Sequence, residues 1–229
     1  AEKKFPKPMF KCLHLNKMNL KKINEDLKEG LINAGLTEPT KLLKDAFGTI
    51  KSGNDVVLIS EDASEREDIL VITTIQRLEK EYLESPRALI IVKDKPAVLS
   101  LLDKFRKYGK YTSLRYFGVH EKTNLDEDKN NISLGIDVLI GTPDRLNFMF
   151  GTAGYDINQL KMFVIDTVDD LLRVRLEPKL YRLSESIGKT QRFYLASSEY
   201  ERMDNFVDKT MLDSFWFSND EEEEEVNGD

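Results

Sequence analysis

Six short apolar runs, with helix-forming segments between them, restrict the fold of this sequence more than any other feature. They are Asp55–Ser60, Ala88–Val92, Thr112–Phe117, Asp137–Gly141, Met162–Asp166 and Arg192–Ala196. Several stay apolar without alternating, as Val56-Val57-Leu58-Ile59 does, which is the pattern of strands covered on both faces. Helical patterns fill the intervals at Leu20–Ala34, Thr40–Lys51, Ser64–Leu83, Lys95–Tyr108, Thr142–Phe150, Val168–Leu172, Glu177–Ser186 and Tyr200–Leu212. This alternation predicts an α/β domain of three layers, a mostly parallel sheet between helices. Ligands of such sheets bind beyond the carboxyl ends of the strands. Ser60, Lys93, Gly118, Gly141, Asp166 and Ser197 then fall along one rim. The polar stretch Gly118–Ile136 is expected to hold a loop or a short helix.

The chain has 229 residues, 40% of them hydrophobic, enough for one full-sized core or two small ones. No apolar run approaches the roughly 20 residues that span a bilayer, and no secretory pattern follows the basic amino-terminal residues. Cys12 is the only cysteine, so no internal disulfide can form, and a cytoplasmic location is expected. Cys12, His14 and His120 are too few and too scattered for a metal site, and none is expected.

The net charge of −7 conceals segregation. Residues 1–22 carry seven lysines against Glu2, a basic arm of +6. Residues 219–229 carry Asp220, Glu221 to Glu225 and Asp229, an acidic tail of −7 that is expected to stay disordered because it has too little apolar surface to bury. Residues 23–218 form the domain between them, itself acidic.

The first strand candidate ends in a turn of unusual charge. From Ser60 to Asp68 the chain carries Glu61, Asp62, Glu65, Glu67 and Asp68 against Arg66 alone, a net −4, with no glycine and no lysine. A phosphate-binding turn in this position uses glycine amides, a lysine and a helix N-terminus. Here Ser64-Glu65-Arg66-Glu67 fits a capping box, in which Ser64 and Glu67 satisfy each other's backbone amides. Thr142-Pro143 similarly sets an N-cap and a first-turn proline.

The order and spacing of these elements resemble the first RecA-like domain of DEAD-box RNA helicases, over about residues 10–215. Gly35-Leu36-Thr37-Glu38-Pro39-Thr40 is similar to the start of that family's adenine-reading motif, and Gly53-Asn54-Asp55-Val56-Val57 to the run leading into its first strand. Ile140-Gly141-Thr142-Pro143-Asp144-Arg145-Leu146 resembles its Thr-Pro-Gly-Arg-Leu motif. Phe163-Val164-Ile165-Asp166-Thr167-Val168-Asp169-Asp170 stands in the place of the DEAD motif. The resemblance implies a single RecA-like, P-loop NTPase-like domain.

The departures from the family pattern fall on its chemistry. The adenine-reading glutamine corresponds to Leu43. The phosphate loop corresponds to Ser60–Glu67, with Asp62, Ala63 and Ser64 in its middle, Ala63 and Glu65 in place of glycines, Arg66 in place of the lysine and Glu67 in place of the magnesium-binding threonine. Asp166 is retained from the DEAD motif, but the water-positioning glutamate is Thr167. The Ser-Ala-Thr motif corresponds to Ala196-Ser197-Ser198, and Lys93-Asp94-Lys95-Pro96-Ala97 no longer resembles its counterpart. The nucleotide site implied by the resemblance is thus degenerate at Ser60, Asp62, Ala63, Ser64, Arg66, Glu67, Asp166 and Thr167.

The side chains carry further expectations. Arg66 is expected on the helix surface, paired with Asp62 or Glu67, and Asp166 is expected to cap a turn or pair with an arginine. The resemblance makes Thr142 and Arg145, with Gly118 on the same rim, the candidate RNA contacts, and a helix N-terminus beside an arginine suits a phosphate. Phe215-Trp216-Phe217 is expected to be a carboxyl-terminal strand or a core anchor, with base stacking as the alternative. No second RecA-like lobe is expected after Leu212. The favoured expectation is a pseudoenzyme with no cofactor, acting through a protein partner, self-association or weak RNA binding. The alternatives are an ATP–magnesium-dependent RNA helicase lobe whose second lobe is absent, and an RNA-binding module.

Overall fold

The computed structural model describes residues 18–219. Cys12, His14, most of the basic arm and the acidic run after Asn219 lie outside them. The chain begins with two helices, α1 (Glu25–Asn33) and α2 (Lys41–Lys51), and then alternates. Strand β1 (Asp55–Ile59) leads to α3 (Ala63–Leu78), β2 (Ala88–Ile91) to α4 (Lys95–Tyr108), and β3 (Tyr116–Val119) to α5 (Leu125–Ser133). Next come β4 (Val138–Gly141), α6 (Pro143–Gly151), β5 (Met162–Ile165), α7 (Val168–Arg173) and α8 (Glu177–Ser186). Strand β6 (Gln191–Ala196), α9 (Glu201–Thr210) and β7 (Ser214–Ser218) complete it.

The seven strands form one sheet in the order β3-β4-β2-β5-β6-β1-β7, and every neighbouring pair is parallel. The continuous apolar runs resolve here into two cores by strict alternation. Val56 and Leu58 of β1, Ile90 of β2, Val164 of β5 and Leu195 of β6 enter one core, with α1 to α4. Val57, Leu89, Phe163, Tyr194 and Ala196 enter the other, with α6 to α9. Helix α3 leaves β1 on the first face and α7 leaves β5 on the second. The rim above β1, β6 and β5 is therefore where the helical layers part, the usual place for a ligand crevice.

Several boundaries differ from the sequence expectation, each for a local reason. Helix α1 starts at Glu25 rather than Leu20, because the Asn24 side chain caps it by accepting from the Leu27 amide. Met18 and Leu20, within the basic arm, are buried in the first core. Helix α3 ends at Leu78 rather than Leu83: Glu79 turns to φ 63°, and Arg87 donates to the carbonyls of Leu78 and Lys80. Strand β3 starts at Tyr116 rather than Thr112, after the Arg115 amide donates to Asp137. It runs to Val119, so Gly118 lies within the strand and His120 takes its place at the rim.

Gly118 is a packing residue. A Cβ there would come within 2.5 Å of Leu102 Cδ1 and 2.7 Å of Val98 Cγ1 on α4. Gly118→Ala is expected to destabilise the fold by about 1–3 kcal/mol through overpacking. Urea denaturation with an unchanged transition midpoint would refute this.

Candidate functional site

Three residues, Ser60, Glu61 and Asp62, separate β1 from α3. The helix therefore begins at Ala63, and Ala63, Ser64 and Glu65 form its first turn. The expected capping box does not form. Asp62 is the N-cap: its Oδ1 accepts from the Ser64 amide at 2.8 Å and the Glu65 amide at 3.3 Å. Its carboxylate thus sits on helix-end amides that would otherwise face an anion.

Glu65, Glu67 and Asp68 are also engaged. Ser60 Oγ donates to Glu65 Oε2 at 2.7 Å, and Asn219, just beyond β7, donates to the same oxygen at 2.9 Å. Glu67 does not return to Ser64. It accepts from Ser100 Oγ at 3.0 Å and pairs with Lys104 at 3.1 Å. Lys104 also meets Asp68 at 2.8 Å, and Asp68 accepts from the Tyr108 hydroxyl at 2.7 Å. The carboxylates thus bind the first turns of α3 to α4.

Arg66 is buried, not on the surface, and pairs with neither Asp62 nor Glu67. It turns inward, where Nη1 donates to the Ser60 carbonyl and Nε lies 3.9 Å from Asp166 Oδ1. That separation is too long for a hydrogen bond, and both atoms lack any hydrogen-bond partner. Burial pushes the Asp166 carboxyl up to about 6, against the opposing pull of Arg66. The expected pairing of Asp166 with an arginine is present. Thr167, directly after it, adopts a left-handed backbone at φ 51°.

Asp169 lies in the first turn of α7. It is fully buried and accepts from the Ser197 amide at 3.0 Å and Ser197 Oγ at 2.6 Å. It thereby locks the end of β6 to the start of α7. The four-residue interval Asp166–Asp169, with a serine beyond β6, was the signal available for it.

Leu43 is buried beside Met18, Leu36, Pro39, Ile69 and Ile72. The space left among them is about 20 Å³, room for about one water molecule. Glu65 and Asp68 line it as well.

The second candidate site lies at the ends of β3 and β4. Thr142 is the N-cap of α6, yet its hydroxyl makes no cap bond and donates to Glu121 Oε1 at 2.6 Å. Arg145 Nη2 donates to Asp128 Oδ2 at 2.7 Å and to the Thr123 carbonyl at 2.7 Å, and its side chain is mostly covered. Both residues are held by the segment His120–Asp128. Asp144 meets Lys179. Burial lowers the His120 pKa, with Lys95 acting in the same direction. Gly118 is walled off by α4, as above. Among the described residues, no group of three His, Cys, Asp or Glu side chains is placed to hold a metal ion, and no helix is long and apolar enough to cross a membrane.

The parallel sheet, the split of helical layers above β1 and the Asp166–Asp169 segment at the end of β5 define a RecA-like α/β lobe. The profile of the DEAD/DEAH box helicase family matches residues 40–200, and the chain belongs to that family. It is 22% identical over 176 residues to eukaryotic initiation factor 4A of Caenorhabditis elegans, covering 77% of this chain and 44% of that protein. It is 21% identical over 194 residues to the ATP-dependent RNA helicase DHH1 of Gibberella zeae, covering 84% and 37%. The crystal structure of a DEAD box protein from the hyperthermophile Methanococcus jannaschii superposes with a TM-score of 0.80 at 14% identity, over 89% of this chain and 55% of that one. The chain spans less than half the length of the curated relatives it matches.

Proposed function

We propose that this lobe is a catalytically silent member of its family that acts by binding a macromolecule and does not turn over ATP. One observation supports the reading: the first turn of α3, capped by Asp62, fills the stretch that corresponds, by resemblance, to the family's phosphate loop. The residues present do not fit a magnesium nucleotide. A triphosphate would meet Asp62, Glu65 and Glu67. Arg66, at the lysine position, is turned inward to Ser60 and Asp166. An adenine ring would have to displace Leu43. Thr167 has no carboxylate to orient an attacking water, which phosphoryl transfer to water needs together with metal and charge stabilisation.

Isothermal titration of the full chain with ATP and magnesium is expected to give no saturable heat, and ATPase assays with or without RNA no turnover above background. Turnover that disappears in Asp166→Ala would overturn the reading in favour of an active ATP-dependent helicase lobe. Such a lobe would belong to a longer protein, as in the relatives.

A second reading is weak RNA binding at the start of α6, favoured by one observation. The Thr142 hydroxyl leaves the first amides of α6 without a side-chain cap, so a phosphate could be received there. It predicts salt-sensitive RNA binding that Arg145→Ala reduces. Equal binding by the wild type and this variant would refute it.

A further inference from the structure

Strand β7 ends the sheet, and its outer edge has no partner strand among the described residues. Its side chains divide between the two faces. Phe217 packs against the first core, whereas Trp216 opens to the face of α9 and remains 38% exposed. Phe215 is 49% exposed, and Leu212, just before the strand, is 99% exposed. An uncovered edge bearing aromatic side chains is a template for an added strand.

Trp216 also forms one wall of an open cavity of about 480 Å³, whose other lining residues are Glu199, Tyr200, Glu201 and Asp204. Two aromatic rings and three carboxylates meet there, and no cation is among the lining residues. That combination receives a cationic side chain, the rings by their faces and the carboxylates by charge-assisted hydrogen bonds. Tyr200 already holds one guanidinium: Arg173 of α7 lies 4.7 Å from its ring centroid. The exposed Arg202 of α9 follows Glu201 in sequence but does not line the cavity. The acidity continues along the rim, because Glu199 also lines the neighbouring crevice with Glu61 and Asp62.

We propose that this edge docks an extended, lysine- or arginine-rich segment of a partner protein. The segment pairs its backbone with β7 and sets one cationic side chain in the Trp216 cavity. Charge selects the class of partner, since the phosphates of a nucleic acid would meet the carboxylates of Glu199, Glu201 and Asp204 that line the cavity, while a basic polypeptide neutralises them.

Trp216 is the only tryptophan in the chain, so its emission reports directly on the cavity. The full-length protein is titrated with a short synthetic peptide alternating arginine and valine. The expected result is a saturable change in Trp216 emission that weakens several-fold at high salt. It should be absent with a peptide in which glutamate replaces arginine, and lost in the Glu199→Gln, Glu201→Gln, Asp204→Asn triple variant with an unchanged far-ultraviolet circular dichroism spectrum. Asp204→Asn alone, at an exposed position, should weaken binding several-fold if the triple variant does not fold. No response to the arginine peptide, or an equal response from the charge variants, overturns the proposal. So does a response to a single-stranded oligonucleotide in its place. A response seen only after Lys3, Lys4, Lys7, Lys11 and Lys17 are replaced by glutamine also overturns it, because the chain's own arm would then be the occupant.

Discussion

Arg66→Ala is expected to lower stability by about 3 kcal/mol at neutral pH and by distinctly less near about pH 4. At neutral pH the substitution leaves the Asp166 carboxylate buried without its nearby cation and removes the hydrogen bond to the Ser60 carbonyl. The pH dependence follows from the Asp166 carboxyl, raised from 3.8 to about 6 by burial. A carboxyl raised in the folded state holds its proton more tightly there than in the unfolded chain. Its contribution to stability is fully present below the unfolded value and is lost as pH rises through the folded one. For the wild type that loss amounts to about 3 kcal/mol between acid and neutral pH. Without Arg66 the folded value moves higher still, so the loss deepens and extends further upward. Urea denaturation of the wild type and Arg66→Ala at both pH values measures this. An equal cost at the two pH values would refute the coupling. Arg66→Met combined with Asp166→Asn should recover most of the stability, since a neutral pair of similar volume removes the uncompensated charge.

Asp137→Ala should cost about 4 kcal/mol, which at this chain length lowers the melting temperature by roughly 10 °C. Asp137 is fully buried just before β4. It accepts from Arg87 Nη2 at 2.7 Å, Arg115 Nε at 2.9 Å, the Arg115 amide at 3.0 Å and the Tyr82 amide at 3.1 Å. Burial alone would raise its pKa, but the donors from Arg115 and Arg87 outweigh it and hold the carboxyl below the usual range. Removing it strands two guanidinium groups and the loop between α3 and β2. Differential scanning calorimetry checks the shift. A melting temperature within a degree or two of wild type would show that the arginines find other acceptors. Neither Arg66 nor Asp137 needs to touch a ligand for these effects, so the experiments separate the stability of the fold from its binding roles.

Much of the architecture was legible in the sequence. The uninterrupted apolar runs announced buried parallel strands because covering both faces removes the need for polar residues between them. Helix α8 matched its expected limits at Glu177–Ser186, and Phe215-Trp216-Phe217 lies in a strand as expected. The start of α3 was legible only in part. The acidic composition signalled a capped helix end, but several oxygens lay within reach of the same amides. Asp62 stands directly at the end of the short connection from β1 and takes them, while Glu67, one turn on, is drawn to Ser100 and Lys104 of α4. The interior position of Gly118 and the binding of Arg145 to Asp128 were likewise out of reach. Both depend on how the segments flanking β3 and β4 close against each other.

By itself, the sequence of this family member determined its layers, its rim and the absence of glycine and lysine from the first strand-to-helix turn. Hydrophobic period and turn composition are written in neighbouring residues, and they act over one or two turns of chain. Only the tertiary structure decided where each charge finds its partner. Arg66 meets Asp166, and Asp169 meets Ser197, because the sheet order sets β6 between β1 and β5 and so gathers the carboxyl ends of strands far apart in the chain. A desolvated charge must find a counter-charge or donor among whatever the fold gathers around it. The acidic turn after β1 is therefore a property of the sequence, while the buried Arg66–Asp166 pair beneath it is a property of the fold.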